Sequence, residues 1–280
     1  QPISEQIWEG KYRLITQNPD MRDDEAVQDT WQRIADACAL AVPERYGVDE
    51  VYPNTPEEIQ SRRSEFYDAL ENFKFLPAGR IIAGAGSGRN VTLFNCYVMG
   101  TVPDTMKGIF DMLKEAALTM QQGGGIGYDF STLRPKGSPV KGVDADASGP
   151  LSFMDVWDSM CRTIMSAGSR RGAMMATMRC DHPDIEDFIT AKRDPLRLRM
   201  FNLSVLVTDA FMDAVKNDAL WNLHFTNRHG ERRVYKTVRA KDLWEKIMDN
   251  TYNFAEPGVI FIDRINKENN LWYCETISAT

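Results

Sequence analysis

A glycine-rich stretch at residues 121–142, QQGGGIGYDFSTLRPKGSPVKG, holds residue types that can bring a backbone close to a phosphate. Glycine has no Cβ, so a run of glycines lets the chain approach a ligand or another strand closely. The dinucleotide-binding fingerprint requires a strand before its glycines, whereas a helical pattern precedes these. The Walker pattern GxxxxGK[ST] is also missing. The stretch is therefore either a backbone that borders a ligand or a tight turn from a helix to a strand.

Two further loops carry cations between small residues. One is RPKGSPVKGVDADASG (134–149), and the other, SAGSRRGAMMAT (166–177), has Arg170 and Arg171 between glycines. Paired guanidinium groups suit bidentate contacts with a phosphate or a base. For either loop alone, a solvated turn is the alternative. Three such loops within residues 123–177 favour a ligand that carries phosphate.

The five cysteines predict neither a zinc ribbon nor a disulfide framework, because they are widely spaced and no CxxC occurs. Cys96 lies in a strand-like segment, FNCYV, where a buried thiol is the usual outcome. Cys180 and His182 form a CxH pair without other ligands nearby in sequence, so no metal is expected there. Other conspicuous side chains are interpreted as surface histidines (His224, His229), as the acidic first turn of a helix (Asp184, Glu186, Asp187) or as packing (Met174, Met175, Met178).

The whole chain limits the classes of partner. Its 280 residues suffice for one large domain or two ordinary ones, and 43% are hydrophobic and 26% charged. The net charge of −7 argues against a duplex nucleic acid, which requires a basic face. No window approaches 18 unbroken apolar residues, and no signal peptide is recognisable at the start. A cytoplasmic protein without a membrane partner is expected.

The segments that must position these groups divide into a helical part and an α/β part. Residues 1–75 show helical periodicity without a clear strand, and from residue 76 strand-like and helical segments alternate. Alternation implies crossover connections and parallel pairing. The predicted domains are thus 1–75 and 76–280. Helices are predicted over 23–41, 55–75, 106–122, 151–168, 182–193, 209–217 and 237–255, and strands over 92–100, 201–207 and 258–265.

Six motifs in a fixed order identify a family resemblance: LPAGR (76–80), FNCYVMGTVPDTMKGIF (94–110), GGGIG (123–127), RPKGSPVKG (134–142), SRRGAMMATMRCDHPDIEDF (169–188) and VIFIDRIN (259–266). Together they resemble the large catalytic subunit of ribonucleotide reductases, most closely the adenosylcobalamin-dependent class II branch. The resemblance covers nearly the whole chain and implies an N-terminal all-helical domain followed by the first half of a ten-stranded α/β barrel. It also implies that ribonucleotides, with diphosphates as the expected form, are reduced to deoxyribonucleotides by thiyl-radical chemistry.

The resemblance further implies a substrate site. Cys96 matches one half of the redox cysteine pair that forms a disulfide as the ribose 2′-hydroxyl leaves, and a thioredoxin-like or glutaredoxin-like dithiol would reduce it again. Asn95, Gly79, Gly124 and Gly125 match positions that line the substrate nucleotide.

The loops correspond, by the same resemblance, to a specificity site near the interface of a homodimer. A deoxynucleoside triphosphate binds there as an effector and selects which ribonucleotide is reduced. Asp104 matches the carboxylate for the effector ribose and Arg134 the triphosphate contact. The other positions implied for effector binding are Thr105, Met106 and Gln121, together with Lys141 and Gly142 on the first loop and Arg170 and Arg171 on the second.

One departure from the family pattern qualifies this prediction. The family's radical cysteine lies in a loop resembling NPCGE, and no such motif occurs here. The chain is therefore expected to be an N-terminal fragment that is inactive alone and lacks most of the cobalamin-binding surface. Two alternatives stay open: an isolated nucleotide-binding and dimerisation module, and a class I reductase with a separate radical-generating subunit. A third and more remote alternative is a glycyl-radical-type barrel enzyme.

Overall fold

The computed structural model describes residues 2–41, 55–140, 145–164 and 173–279. They form two compact units, one that ends at Asn95 and one that starts at Cys96. The helices of the first unit are α1 (Pro2–Lys11), α2 (Val27–Ala39), α3 (Pro56–Leu70) and α4 (Gly79–Gly84). The helices of the second are α5 (Met106–Gln121), α6 (Pro150–Thr163), α7 (Ile185–Thr190), α8 (Asp209–Lys216), α9 (Ala240–Phe254) and α10 (Ile262–Lys267). The strands, all in the second unit, are β1 (Cys96–Thr101), β2 (Gly125–Asp129), β3 (Pro139–Val140), β4 (Ala145–Asp146), β5 (Met174–Arg179), β6 (Phe201–Val207), β7 (Leu220–Thr226), β8 (Arg232–Arg239) and β9 (Gly258–Phe261).

The first unit is helical within the described residues, as the periodicity predicts. The apolar face of α2 packs with the end of α3, so that Trp31, Ile34 and Leu70 share a small core. Helix α3 begins where its capping box predicts, because the side chain of Thr55 accepts the backbone N–H of Glu58 and the Glu58 carboxylate accepts that of Thr55. Among the described helices, none combines the length and the apolar character that a bilayer crossing requires.

The second unit is built on a parallel sheet with the strand order β1-β2-β5-β6-β9. Each strand pairs in parallel with its neighbour, and helices lie between consecutive strands of this sheet along the chain. Parallel pairing, predicted from the alternation of elements, is thereby confirmed. Because parallel strands share one direction, their carboxyl ends meet at one edge and their amino ends at the other. The candidate site residues that the structure describes in this unit divide between these two edges.

The core of this unit contains four large aromatic side chains that pack edge to face. Tyr128 lies in β2, and Phe130 directly follows that strand. Both contact Trp157 of α6, and Phe130 also contacts Phe201 of β6. All four are buried. Edge-to-face pairs contribute about 0.5–1.5 kcal/mol each beyond their burial. Strand β2, which carries the glycine motif at its start, is thus fixed firmly in the sheet.

The structure corrects several predicted boundaries. Residues 92–95 are not a strand, since β1 begins at Cys96, and helix α6 ends at Thr163. The predicted strand over 258–265 ends at Phe261 and continues as helix α10, while the predicted helix over 182–193 begins only at Ile185 and closes with a 3-10 turn. The sequence predicts no strand at β5, because its methionines indicate only packing residues. Met174 and Met178 are indeed buried.

An antiparallel hairpin of β7 and β8 stands outside the main sheet. The helix predicted over 237–255 begins only at Ala240, because Thr237–Arg239 complete β8. The polar turn of the β7–β8 hairpin contains His229, which is exposed as predicted. His224 in β7 is largely covered, with only 13% of its side chain exposed. The prediction of a surface position for His224 is therefore wrong, because the imidazole packs toward the carboxylate of Asp181.

Candidate functional site

Cys96 is the first residue of β1 and lies at the amino edge of the sheet. Its thiol is exposed, so the interpretation of Cys96 as a core cysteine is wrong. In the parallel register with β2, Cys96 is level with Gly125. An exposed thiol beside a residue without a side chain leaves room for a ligand above the strand ends.

The glycines form the turn from helix α5 to strand β2. Gly123 has a φ of 93°, in the left-handed region that favours glycine. A Cβ at Gly124 would lie 2.7 Å from Cε2 of Tyr97 and 3.0 Å from Cγ2 of Thr119. The turn therefore requires glycine for its backbone and for the close approach of the Tyr97 ring. Tyr97 follows the redox candidate directly, and sequence reasoning missed it.

Asn95 and Gly79 belong to the first unit. The side-chain oxygen of Asn95 accepts the backbone N–H of Arg80 at 3.2 Å, so the two candidate positions adjoin. Gly79 is the first residue of α4, where a Cβ would come within 3.2 Å of the Tyr12 hydroxyl. This hydrogen bond fixes the orientation of the Asn95 side chain, which directly precedes Cys96 in the chain.

Asp104 and Arg134 form a partly exposed ion pair that links the segment after β1 to the segment after β2. The Nε of Arg134 donates to both carboxylate oxygens of Asp104 at 3.1 and 2.9 Å, and its backbone N–H donates to Oδ1 at 3.2 Å. Their side chains are 24% and 32% exposed. Since a guanidinium has five N–H donors, Arg134 retains donors for an anion while Asp104 orients it. The structure thus brings these two predicted residues together.

The remaining candidates near Asp104 lie on helix α5. Thr105 is the N-cap of α5 and accepts the backbone N–H of Gly108 at 3.0 Å, and Met106 is 61% exposed. Gln121 is the last residue of the same helix. At 1.5 Å per residue, Gln121 lies about 22 Å along the axis from Met106. Within one copy of the chain, the structure therefore does not bring Gln121 to Asp104.

The described parts of the first cationic loop, on either side of residues 141–144, pair with each other. Strands β3 and β4 pair antiparallel, and below them the N–H of Gly137 donates to the carbonyl of Ala147 at 2.9 Å. The hydroxyl of Ser138 lies 3.1 Å from the hydroxyl of Tyr235 in β8. The predicted effector residues Lys141, Gly142, Arg170 and Arg171 lie outside the described residues.

A polar network that no sequence motif predicts lies at the carboxyl edge of β2 and β5. Its members Asp129, Ser131 and Asp181 are buried, whereas the side chain of Arg179 is 51% exposed. Ser131 accepts the backbone N–H of Arg179 at 2.7 Å and donates to Asp129. Arg179 forms a bidentate pair with Asp181, which also faces His224 at 3.7 Å. Burial raises the pKa of Asp129, and the hydrogen bond to Asp181 raises the pKa of Arg179. The network ties the end of β5 to β2 and to the β7–β8 hairpin.

His182 and Asp184 follow the same strand end. The sequence predicts no metal site at His182 and its CxH partner Cys180, and it predicts a helix start at Asp184. His182 is buried, its Nε2 lies 2.9 Å from the carbonyl of Leu133, and its Nδ1 accepts the N–H of Asp184 at 3.0 Å. Burial lowers the pKa of His182 to about 4, so the imidazole is neutral at pH 7. Polar residues directly after a buried strand are the sequence signal that could have identified them.

Two of the other thiols, those of Cys161 and Cys180, are buried, unlike that of Cys96. Burial raises the pKa of Cys161 to about 11 and that of Cys180 to about 12, which keeps both as unreactive thiols at neutral pH. Cys274 is exposed like Cys96 but lies in none of the glycine or loop motifs. Within the described ranges, no three His, Cys, Asp or Glu side chains gather in a way that could hold a metal ion.

A helical unit followed by a unit built on a parallel sheet defines an α/β class of protein. An exposed thiol lies at the amino edge of this sheet, and an ion pair lies where the first cationic loop starts. A family model described as the ribonucleotide reductase barrel domain matches residues 94–280, and one described as the ribonucleotide reductase all-alpha domain matches residues 1–90. The chain belongs to the ribonucleotide reductase large-subunit family.

Three relatives illustrate the similarity. A vitamin B12-dependent ribonucleoside-diphosphate reductase of Thermoplasma acidophilum is 37% identical over 78% of this chain and 28% of its own length. One of the same name from Mycobacterium tuberculosis is 37% identical over 83% of this chain and 32% of its own length. A ribonucleoside-diphosphate reductase subunit alpha of Helicobacter pylori is 31% identical over 76% and 30%. The chain thus spans about a third of the length of the relatives it matches.

Proposed function

We propose that this chain provides the helical domain and the first part of the barrel of an enzyme that reduces ribonucleoside diphosphates to deoxyribonucleotides. The observation that carries the proposal is the exposed thiol of Cys96, level with Gly125 and beside the glycine turn. The substrate class comes from the printed names of the relatives. The domain division at residues 75 and 76 stays part of the proposal.

At the substrate, Cys96 is proposed as one of two thiols that reduce the ribose. Two thiols that join in a disulfide release two electrons and two protons. These replace the 2′-hydroxyl by hydrogen, and the oxygen leaves as water, so the step balances. A thioredoxin-like or glutaredoxin-like dithiol then reduces the disulfide by exchange. Asn95, Gly79, Gly124 and Gly125 are proposed to border the nucleotide.

At the effector, Asp104 and Arg134 are proposed to bind the ribose and the triphosphate of a deoxynucleoside triphosphate. The partly exposed ion pair supports this, since an anion can recruit the remaining donors of Arg134 while Asp104 accepts from a sugar hydroxyl. Thr105, Met106, Gln121, Lys141, Gly142, Arg170 and Arg171 are proposed as further effector contacts in a homodimer. The enzyme is proposed to act in the cytoplasm.

Adenosylcobalamin is proposed as the radical source because two relatives are named vitamin B12-dependent. The cavity at the base of the β3–β4 loop does not fit a corrin, because it measures about 410 Å³ and is lined by polar groups such as Lys136, Asp184 and Arg197. No step is therefore assigned to residues of this chain through that group. A class I enzyme with a separate radical subunit is the second candidate, favoured by the relative named subunit alpha.

The test uses the full natural protein that contains these residues. It receives CDP or CTP, a dithiol and a deoxynucleoside triphosphate anaerobically, with and without adenosylcobalamin. Deoxycytidine nucleotide that depends on adenosylcobalamin supports the proposal and the cofactor together. Product only after addition of a metal-containing subunit supports the reductase and moves the radical source to a partner. No product under either condition contradicts the proposed activity.

A further inference from the structure

The segment Arg134–Lys136, which follows β2, is fixed on both sides by His182 and Asp184, which lie between β5 and α7. The carbonyl of Leu133 lies 2.9 Å from Nε2 of His182, and the backbone N–H of Lys136 donates to Oδ2 of Asp184 at 2.9 Å. These two contacts flank Arg134, whose own N–H and Nε donate to Asp104. The stretch His182–Asp184 thus determines where the backbone of Arg134 lies.

The hydrogen bonds assign the tautomer of the imidazole. Nδ1 of His182 accepts the backbone N–H of Asp184, so Nε2 carries the proton and donates to the carbonyl of Leu133. His182 is 2% exposed, and its ring packs edge-on against Phe225 at 6.0 Å. A buried neutral imidazole with both nitrogens occupied has a single favourable orientation. His182 is therefore a rigid spacer between the end of β5 and the segment after β2.

Asp184 also lies close to the residue at which the loop returns. Gly149 has a φ of 81°, and a Cβ there would lie 2.8 Å from Oδ2 of Asp184 and 3.0 Å from the backbone nitrogen of Lys136. The loop therefore starts and ends against the same carboxylate. Since the hairpin between these points is closed by the bond from Gly137 to Ala147, a shift of Asp184 displaces the whole loop base.

We propose that His182 and Asp184 are positioning residues that set effector affinity by fixing Arg134 opposite Asp104 and by fixing the base of the loop at Lys136 and Gly149. Neither residue contacts the Arg134–Asp104 ion pair, so the effect passes through the backbone of Leu133 and Lys136. The inference rests on the proposed effector site. It adds two residues of a different strand connection to that site.

The experiment uses conservative variants of the full natural protein. His182→Asn keeps an acceptor at the position of Nδ1 but cannot reach Leu133, whereas His182→Gln keeps a donor at the position of Nε2. Asp184→Ala removes the acceptor for Lys136, whereas Asp184→Asn keeps an oxygen there. The matched controls are His229→Asn and Asp187→Ala, because both side chains are exposed and outside the His182–Leu133 and Asp184–Lys136 contacts. The probes are dATP and dTTP in calorimetry, together with effector-free turnover and thermal melting.

We expect His182→Asn and Asp184→Ala to weaken binding of both probes about tenfold, which corresponds to about 1.4 kcal/mol, while effector-free turnover falls less than about threefold. His182→Gln and Asp184→Asn should recover most of the affinity, and the controls should bind normally. Equal losses of affinity, turnover and melting temperature, without recovery in the conservative variants, would mean a merely structural role and overturn the proposal. If His182→Asn does not fold, the Asp184 pair decides by the same criteria.

A reference variant separates this inference from the function beneath it. Asp104→Ala should abolish binding of the probes. If Asp104→Ala binds them normally, the proposed effector site is misplaced, whatever the His182 and Asp184 variants do. If Asp104→Ala loses binding but both positioning variants bind like the controls, the effector site stands and the positioning role is refuted.

Discussion

A thiol at position 96 is exposed because β1 starts with it at the open amino edge of the sheet, and not within the strand. The strand-like composition of FNCYV predicts a buried cysteine, and composition alone does not distinguish the first residue of a strand from its centre. The family resemblance, in contrast, predicts Cys96 as reactive. Its exposure is consistent with that role and does not test it.

Cys96→Ser should abolish multiple turnover with a dithiol reductant, because a serine hydroxyl cannot form the disulfide that supplies two electrons. Turnover of ribonucleotide over time measures this. The matched control is Cys274→Ser, which removes the other exposed thiol among the described residues and should retain activity within about twofold. Sustained turnover in Cys96→Ser would refute the redox assignment.

Gly124→Ala should destabilise the turn between α5 and β2. Its Cβ would lie 2.7 Å from the Tyr97 ring and 3.0 Å from Thr119, and an overpacked site costs about 1–3 kcal/mol. Denaturant unfolding measures the loss. Gly10→Ala is the control, since a Cβ there meets nothing within 4 Å.

A double-mutant cycle identifies the contact. With Tyr97→Ala in the background, the cost of Gly124→Ala should shrink, because the ring that the new Cβ meets is gone. An unchanged cost in that background would assign the requirement for glycine to the contact with Thr119 and not to the approach of Tyr97.

At the scale of elements, the sequence predicts most helices but not every strand. The start of helix α3 is predictable from Thr55, Pro56 and Glu58, because a capping box is formed by residues close in sequence. Strand β5 contains three methionines, whose flexible side chains fill irregular gaps in a core and do not mark a strand. Its place between β2 and β6 makes it a strand. Contacts across strand ends, such as that of His182 with Leu133, join residues distant in sequence and therefore leave no local pattern.

The connection between β5 and α7 should make stability depend on pH through His182. Burial lowers the pKa of His182 from 6.5 to about 4, so between these values the unfolded chain binds a proton that the folded chain does not. The stabilisation is complete above pH 6.5 and falls as the pH drops toward 4. At about 1.4 kcal/mol per pKa unit, the loss reaches about 3 kcal/mol.

Urea unfolding at pH 7, 6 and 5 measures this dependence. Carboxylates titrate in part of the same range, so the informative quantity is the difference between wild type and His182→Gln, which lacks the imidazole. That difference should fall with decreasing pH. A difference that is constant from pH 7 to pH 5 would mean that His182 can accept a proton in the folded state.

At the scale of the whole molecule, the order of motifs was more informative than any single motif. The glycine run alone left open a ligand loop and a turn, and the structure shows a turn from α5 to β2. Six motifs in order led to the family, which the family models confirm over residues 1–90 and 94–280. The positions of Cys96 and Gly125 on adjacent strands, by contrast, required the parallel register of the sheet.

The proposed enzyme couples two nucleotide sites, and this coupling must be reciprocal. If an effector tightens binding of a ribonucleotide by a given factor, the ribonucleotide tightens binding of the effector by the same factor, typically about 5–150-fold. Calorimetry on the full natural protein measures both dissociation constants with and without the other ligand.

Arg170→Ala combined with Arg171→Ala should reduce both factors toward one, because these arginines are proposed to contact effector and substrate alike. The control is Arg62→Ala combined with Arg63→Ala, since these are also two consecutive arginines, here in α3. This control should leave both coupling factors unchanged. Reciprocal coupling that survives in the Arg170 and Arg171 variant would show that another element transmits it.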